Sequence, residues 1–198
     1  LRPIQKDCID SIYDSFKSGG TYHLVHACVS FGKTIVASEL MRSAHATHGA
    51  KTLFMCHLKE LVVQTVEKFS LVAPDISCGV FMGSKKEQKA ITVGTRQTIG
   101  KNLDKLEKVE LIIIDEVHLY SAQYQAIVDH FLALNPRLRV LGVTGTPFSL
   151  RDGWIYGDDK RWPEPCFEAG ITQMTEMGYL SPYRYKMASD VDLDGVGK

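Results

Sequence analysis

Two short runs in this chain bring together residue types that handle phosphate and metal. The first is Ala27-Cys28-Val29-Ser30-Phe31-Gly32-Lys33-Thr34, set between a strand-like run and a helical one. A strand-to-helix turn points backbone N–H groups at an anion, and the helix N-terminus adds partial positive charge. Gly32 lets the backbone curl round the phosphates. Lys33 would reach the β- and γ-phosphates of a nucleoside triphosphate, and the Thr34 hydroxyl would bind Mg²⁺. Ala27 stands where the pattern G-x-x-x-x-G-K-[ST] begins with Gly. A bare Gly-Lys-Thr is also compatible with an ordinary helix start, and the strand-loop-helix setting is what favours phosphate.

The second run, Leu111-Ile112-Ile113-Ile114-Asp115-Glu116, ends an apolar strand with two acids. In open α/β sheets, ligands bind at that edge. Two acids there could equally cap the next helix. Taken with the Lys33 loop upstream, Asp115 reads as the Mg²⁺ holder, acting through its water shell. Glu116 reads as the group that orients and polarises an attacking water.

The elements that must position these groups follow from periodicity. Residues 4–17 space Ile4, Ile9, Ile12, Tyr13 and Phe16 as a helix does, and Gly19-Gly20 ends it. Tyr22–Ala27 is a strand, residues 33–48 a helix capped by Gly49, Thr52–Cys56 a strand, and residues 59–72 a helix stopped by Pro74. Weaker strands are expected at Cys78–Phe81 and Ala90–Val93. Leu111–Ile114 is apolar enough for burial on both faces. A helix over Tyr120–Leu134, a strand over Leu138–Val143, a loop over Trp154–Pro165 and a short helix over Thr172–Met177 follow. A last strand at Tyr183–Lys186 and an acidic tail over 188–198 complete the reading. Strands alternating with helices predict an α/β, three-layer domain with a mostly parallel sheet covered on both faces.

Composition sets few limits. Hydrophobic residues make 44% and charged residues 23%, ordinary for a globular chain, and Lys+Arg and Asp+Glu both number 23. Zero net charge gives no global attraction to nucleic acid, so any polyanion must meet a local surface. Cys8, Cys28, Cys56, Cys78 and Cys166 are scattered singly, which predicts reduced thiols in an intracellular protein rather than disulfides or a zinc site. No run is long enough to span a membrane, and Leu1-Arg2-Pro3 is no signal peptide, so a cytoplasmic location with no membrane partner is expected.

The sequence also resembles the superfamily 2 helicases and translocases of the DEAD/DEAH-box type. Asp115-Glu116-Val117-His118 looks like their acidic box, and Leu1-Arg2-Pro3-Ile4-Gln5 is similar to the opening whose glutamine reads adenine. Lys59-Glu60-Leu61-Val62-Val63-Gln64 resembles a nucleic-acid-contacting motif, and Thr95-Arg96-Gln97-Thr98 falls where a second belongs. Thr144-Gly145-Thr146-Pro147 resembles the motif that couples hydrolysis to nucleic acid, and Gly178-Tyr179-Leu180-Ser181-Pro182 a closing stretch of a bacterial branch.

The resemblance implies a RecA-like P-loop fold over residues 1–186, an ATP site with Mg²⁺, and a linker over 187–198 toward a second RecA-like domain with the arginine finger. It implies ATP contacts from Gln5, Val29, Ser30, Phe31, Gly32, Lys33 and Thr34, and coupling through His118, Thr144 and Thr146. Nucleic-acid contacts would come from Lys59, Glu60, Thr95, Arg96 and Gln97, with DNA favoured over RNA by analogy. Three departures stand out: Ser30 in place of a loop glycine, Phe31 in place of a small residue, and His57-Leu58 in place of Pro-Thr. If the loop demands positive φ at residue 30, Ser is strained there. A nucleotide-gated interaction module with little turnover is the alternative on the same fold. The aromatics Trp154, Tyr156 and Trp162 could stack bases, but packing of a loop onto the domain is the favoured reading.

Overall fold

The computed structural model describes residues 1–149 and 153–182. The strand expected at Tyr183–Lys186, the tail over 188–198 and the linker over 187–198 lie outside the described residues. In chain order the elements are α1 (Pro3–Ser18), β1 (Tyr22–Ala27), α2 (Lys33–His48), β2 (Thr52–Cys56), α3 (Lys59–Val72), β3 (Cys78–Met82), β4 (Lys85–Lys86), β5 (Ile91–Thr95) and α4 (Arg96–Gly100). These are followed by β6 (Leu111–Asp115), α5 (Ala122–Leu134), β7 (Arg139–Thr144), β8 (Phe148–Ser149), β9 (Gly153–Trp154), β10 (Phe167–Ala169) and α6 (Ile171–Glu176). Eight strands form one sheet in the order β10-β1-β7-β6-β2-β5-β3-β4, parallel except for the short β3–β4 pair.

Side chains of successive strand residues point to opposite faces, and both faces are covered. Leu111 and Ile113 of β6, with Phe54 and Cys56 of β2 and Val25 of β1, join the cluster under α1, α2 and α3. Ile112 and Ile114, with Leu53, Met55 and Leu24, join the cluster under α4 and α5, where Tyr124, Ile127, Val128 and Phe131 are buried. That is why β6 reads as an unbroken apolar run rather than an alternating one.

Several boundaries differ from the periodicity. β5 runs to Thr95, and α5 begins at Ala122 because a 3₁₀ turn, Val117–Leu119, precedes it. The short helix occupies Ile171–Glu176. The stretch read as a loop over Trp154–Pro165 holds β9, paired with β8, and a bridge between Tyr156 and Trp162. β10 and α4 were not expected at all.

Trp162 is 2% exposed and meets Tyr22 and Tyr120 edge-on, with centroids at 5.4 and 5.6 Å. A Cβ on Gly142 would stand 2.9 Å from its ring, so that glycine makes the seat for the tryptophan. Loop packing therefore holds for Trp162, while Trp154 stays exposed. All five cysteines are free. Burial pushes the thiols of Cys78 and Cys166 up to about 11, which favours the protonated thiol at neutral pH. Among the described residues, no helix is long and apolar enough to cross a membrane.

Candidate nucleotide and nucleic-acid site

Because β1, β7, β6, β2 and β5 are parallel, their C-terminal ends share one edge of the sheet. β7 lies between β1 and β6, with His26 opposite Thr144 and Asp115 opposite Val143. The Thr144–Thr146 segment thus sits between the Lys33 loop and the acidic pair. Residues distant in sequence converge because right-handed crossovers return every strand to the same edge.

The loop after β1 is closed on itself. The Lys33 Nζ donates to the carbonyls of Ala27 at 3.1 Å and Cys28 at 3.5 Å. A Cβ on Gly145 would stand 3.3 Å from that Nζ, so the glycine of the β7 motif leaves room for the ammonium. Gly32 caps α2 in the left-handed region at φ 92°. Ser30 is also left-handed, at φ 68°, so the strain that its identity implied is present. Gln5 accepts from the Arg2 N–H at 2.9 Å and donates through Nε2 to the Phe31 carbonyl at 2.8 Å. A cleft of about 400 Å³ opens here, lined by Leu1, Arg2, Gln5, Ser30, Phe31, Gly32 and Ile35. The Phe31 side chain, expected among the ATP contacts, is fully buried and packs on Phe167 at 5.7 Å. Its backbone carbonyl meets Gln5 at the cleft. Val29 and Ser30 are exposed and Thr34 is half-buried.

At the end of β6, Asp115 is half-buried and its Oδ1 accepts from the Glu116 N–H at 3.1 Å. Burial, then the neighbouring Glu116, raises the Asp115 pKa, while Lys33, that N–H and His57 pull it back. Glu116 is left-handed at φ 48°. Among the described residues, Ser30 and Glu116 are the non-glycine positions with positive φ, and both stand at this edge. Such conformations cost on the order of 1–3 kcal/mol each and gather at functional sites.

A hydrogen-bonded group joins this acid to β7. His118 Nδ1 lies 2.9 Å from Thr144 Oγ1 and 3.3 Å from Glu116 Oε2. The Thr144 hydroxyl lies 3.5 Å from Glu116 Oε2 and accepts from the Thr146 N–H at 3.1 Å. The Thr146 hydroxyl is 3.5 Å from His118 Nδ1. Glu116, His118, Thr144 and Thr146 therefore form one unit. A wider cleft of about 610 Å³ lies beside Thr21, Tyr22 and Arg161, at the opposite end of β1, and gathers none of these groups.

The remaining expected residues lie on the other side of the acids, along the same edge. β2 neighbours β6 and β5 neighbours β2, with Cys56 opposite Thr95. Lys59 and Glu60 are exposed at the start of α3, and Gln97 is exposed on α4. Thr95 is buried and acts as the α4 cap, accepting from the Thr98 N–H at 3.4 Å and donating to the Thr98 hydroxyl at 3.0 Å. Arg96 lies over the Tyr124 ring at 5.3 Å and donates to Ser121 at 3.3 Å, with its Nε buried and unpartnered. The sequence motifs containing them hint at, but do not identify, Gly145 as a neighbour of the loop and Tyr179 as a neighbour of Arg2.

Comparison with known proteins supplies the family and the fold. Residues 1–149 match the family described as type III restriction enzyme, res subunit (ResIII). Over 160 residues the chain is 30% identical to IRC3 of Saccharomyces cerevisiae, a protein assigned as an ATP-dependent helicase, covering 74% of this chain and 23% of that one. The type ISP restriction-modification enzyme LlaGI, solved as a nuclease-deletion mutant with a DNA substrate mimic, superposes with a TM-score of 0.70. It shares 18% identity, over 90% of this chain and 18% of that one, and so speaks for the fold. The Hef helicase domain of Pyrococcus furiosus superposes with a TM-score of 0.60 at 26% identity, over 71% of this chain and 32% of that one. The chain thus spans less than a third of the length of each of these relatives.

Proposed function

The chain belongs to the type III restriction enzyme res-subunit family, as the first RecA-like domain of a superfamily 2 helicase, and from that premise we propose that residues 1–186 are the ATP-binding half of a DNA-dependent motor. A second RecA-like domain would follow through the linker assigned to 187–198. The observation that carries this reading is the bonded unit of Glu116, His118 and Thr144, set across β7 from the Lys33 loop.

In this reading Lys33 exchanges the carbonyls of Ala27 and Cys28 for the β- and γ-phosphates of ATP. Gln5 and the cleft beside it hold the adenine. The half-buried, upward-shifted carboxyl of Asp115, next to Lys33, suits a cation-binding group, and Thr34 and Asp115 would hold Mg²⁺. When bound, that ion neutralises charge on the phosphates. Glu116, aimed by its left-handed backbone, orients the attacking water. His118, Thr144 and Thr146 tie the state of Glu116 to β7 and the Lys33 loop. Lys59, Arg96 and Gln97, on the other side of the acids, meet the DNA backbone, with Glu60 beside them and Thr95 shaping the edge as the α4 cap. The DNA substrate mimic bound to the LlaGI relative supports DNA as the track. The arginine finger of a second domain is needed for turnover, and its lack costs roughly 10³–10⁵ in rate. The chain alone should therefore hydrolyse ATP poorly.

The test is DNA-stimulated ATP hydrolysis by the protein with both motor domains. Stimulation abolished by Lys33→Ala and by Glu116→Gln is expected. Hydrolysis unaffected by either change would sink the proposal.

A further inference from the structure

The segment running from β10 through α6 to Tyr179 is tied to the phosphate loop and its flank at three places. The Cys28 N–H donates to the carbonyl of Ala169 at 2.9 Å. The Phe31 ring packs on Phe167. The Arg2 guanidinium lies 4.6 Å above the Tyr179 ring. Arg2 in turn holds Gln5 through its N–H, and Gln5 holds the Phe31 carbonyl. Tyr179 is fixed from behind, because its N–H and that of Leu180 donate to the carbonyl of buried Met174 at 2.9 and 3.1 Å. Contacts therefore run from the loop carbonyl at Phe31, through Gln5 and Arg2, to Tyr179 just past α6.

Arg2 is shared: it lines the 400 Å³ cleft on one side and meets Tyr179 on the other. A molecule filling the cleft would restrain Arg2, and a restrained Arg2 would hold Tyr179. By linkage the reverse also holds, so whatever holds Tyr179 favours filling of the cleft. We propose that β10, α6 and Tyr179 form a nucleotide-responsive connector, with Tyr179 a positioning residue for the cleft. The proposal rests on the ATP reading of that cleft. It gives the strained, self-closed loop a route by which its occupancy reaches the segment after α6.

The test combines hydrogen exchange and affinity, with a non-hydrolysable ATP analogue and Mg²⁺ as the probe. In the wild type, the analogue is expected to slow amide exchange over residues 171–180 and to leave α5, on the opposite face, unchanged. Tyr179→Ala is expected to weaken analogue binding about two- to five-fold, the span of a partly exposed cation–π contact, and to remove the slowing at 171–180. Tyr179→Phe keeps the ring face and is expected to restore both. Unchanged exchange at 171–180 while the analogue binds would overturn the connector, as would a Phe variant as weak as the Ala variant. Absence of analogue binding to the wild type would instead overturn the ATP reading beneath it.

Discussion

Replacing Gly32 by Ala probes the geometry on which the phosphate loop depends. At φ 92°, the position lies in the left-handed region, which costs a residue with a Cβ roughly 1–2 kcal/mol. The added Cβ would also stand 2.6 Å from Gln5 Nε2. Gln5 can swing away, but only by giving up its 2.8 Å bond to the Phe31 carbonyl. Losing one partner of a buried hydrogen bond costs about 1–3 kcal/mol. Together these amount to roughly 2–5 kcal/mol of stability, an upper range because the loop can relax. For a domain of this size that is a fall in Tm of about 4–20 °C.

The assay is urea unfolding of wild type, Gly32→Ala, Gln5→Ala and the double variant. If the two residues are coupled as the distances indicate, the double variant loses less than the sum of the singles, by on the order of 1 kcal/mol. Additive losses, or a Gly32→Ala variant within about 0.5 kcal/mol of wild type, would refute the reasoning.

Trp162→Ala should cost roughly 3–5 kcal/mol, since it empties a buried seat over Gly142, while Trp154→Ala at an exposed position should cost under about 0.5 kcal/mol; thermal unfolding of the two variants checks the contrast. His23 sits beside Ser15 at 2.7 Å and against Phe16 at 4.8 Å, and burial, then the charge of Arg139, holds its pKa down to about 4. The unfolded chain protonates this histidine near its ordinary pKa of about 6.5 and the folded chain resists. Its contribution to stability is thus present above pH 6.5 and lost as pH falls toward 4. His23→Gln should flatten that limb of the stability–pH curve, and a limb unchanged in the variant would show that another group sets it.

Much of the architecture was legible because strong local signals and global needs coincide. Leu111–Ile114 reads as a doubly buried strand in either context, and Gly49 and Pro74 stop helices by backbone chemistry alone. The parts that escaped depend on partners far away in sequence. β10 spans only Phe167–Ala169 and exists through its pairing with Val25–Ala27. Trp162 is a core residue because β7 offers a glycine beneath it. The site residues were legible as types but not as postures. Nothing local shows that Glu116 takes a left-handed backbone, that Phe31 turns inward, or that Arg96 rests on Tyr124. Thr95 looked like a free contact, yet its hydroxyl is used in capping α4. These are outcomes of packing and of hydrogen-bond satisfaction, which the identities constrain but do not specify.

The central claim is that the Lys33 loop, the acids of β6 and the Thr144 segment meet one nucleotide and one metal ion. Paramagnetic broadening by Mn²⁺ with ATP, read from amide signals of the labelled chain, tests this directly. Loss of signal at residues 30–34, 115–118 and 144–146 together, absent in Lys33→Ala, is the expected result. Broadening confined to one of the three stretches, or equally strong in the Lys33→Ala variant, would contradict it.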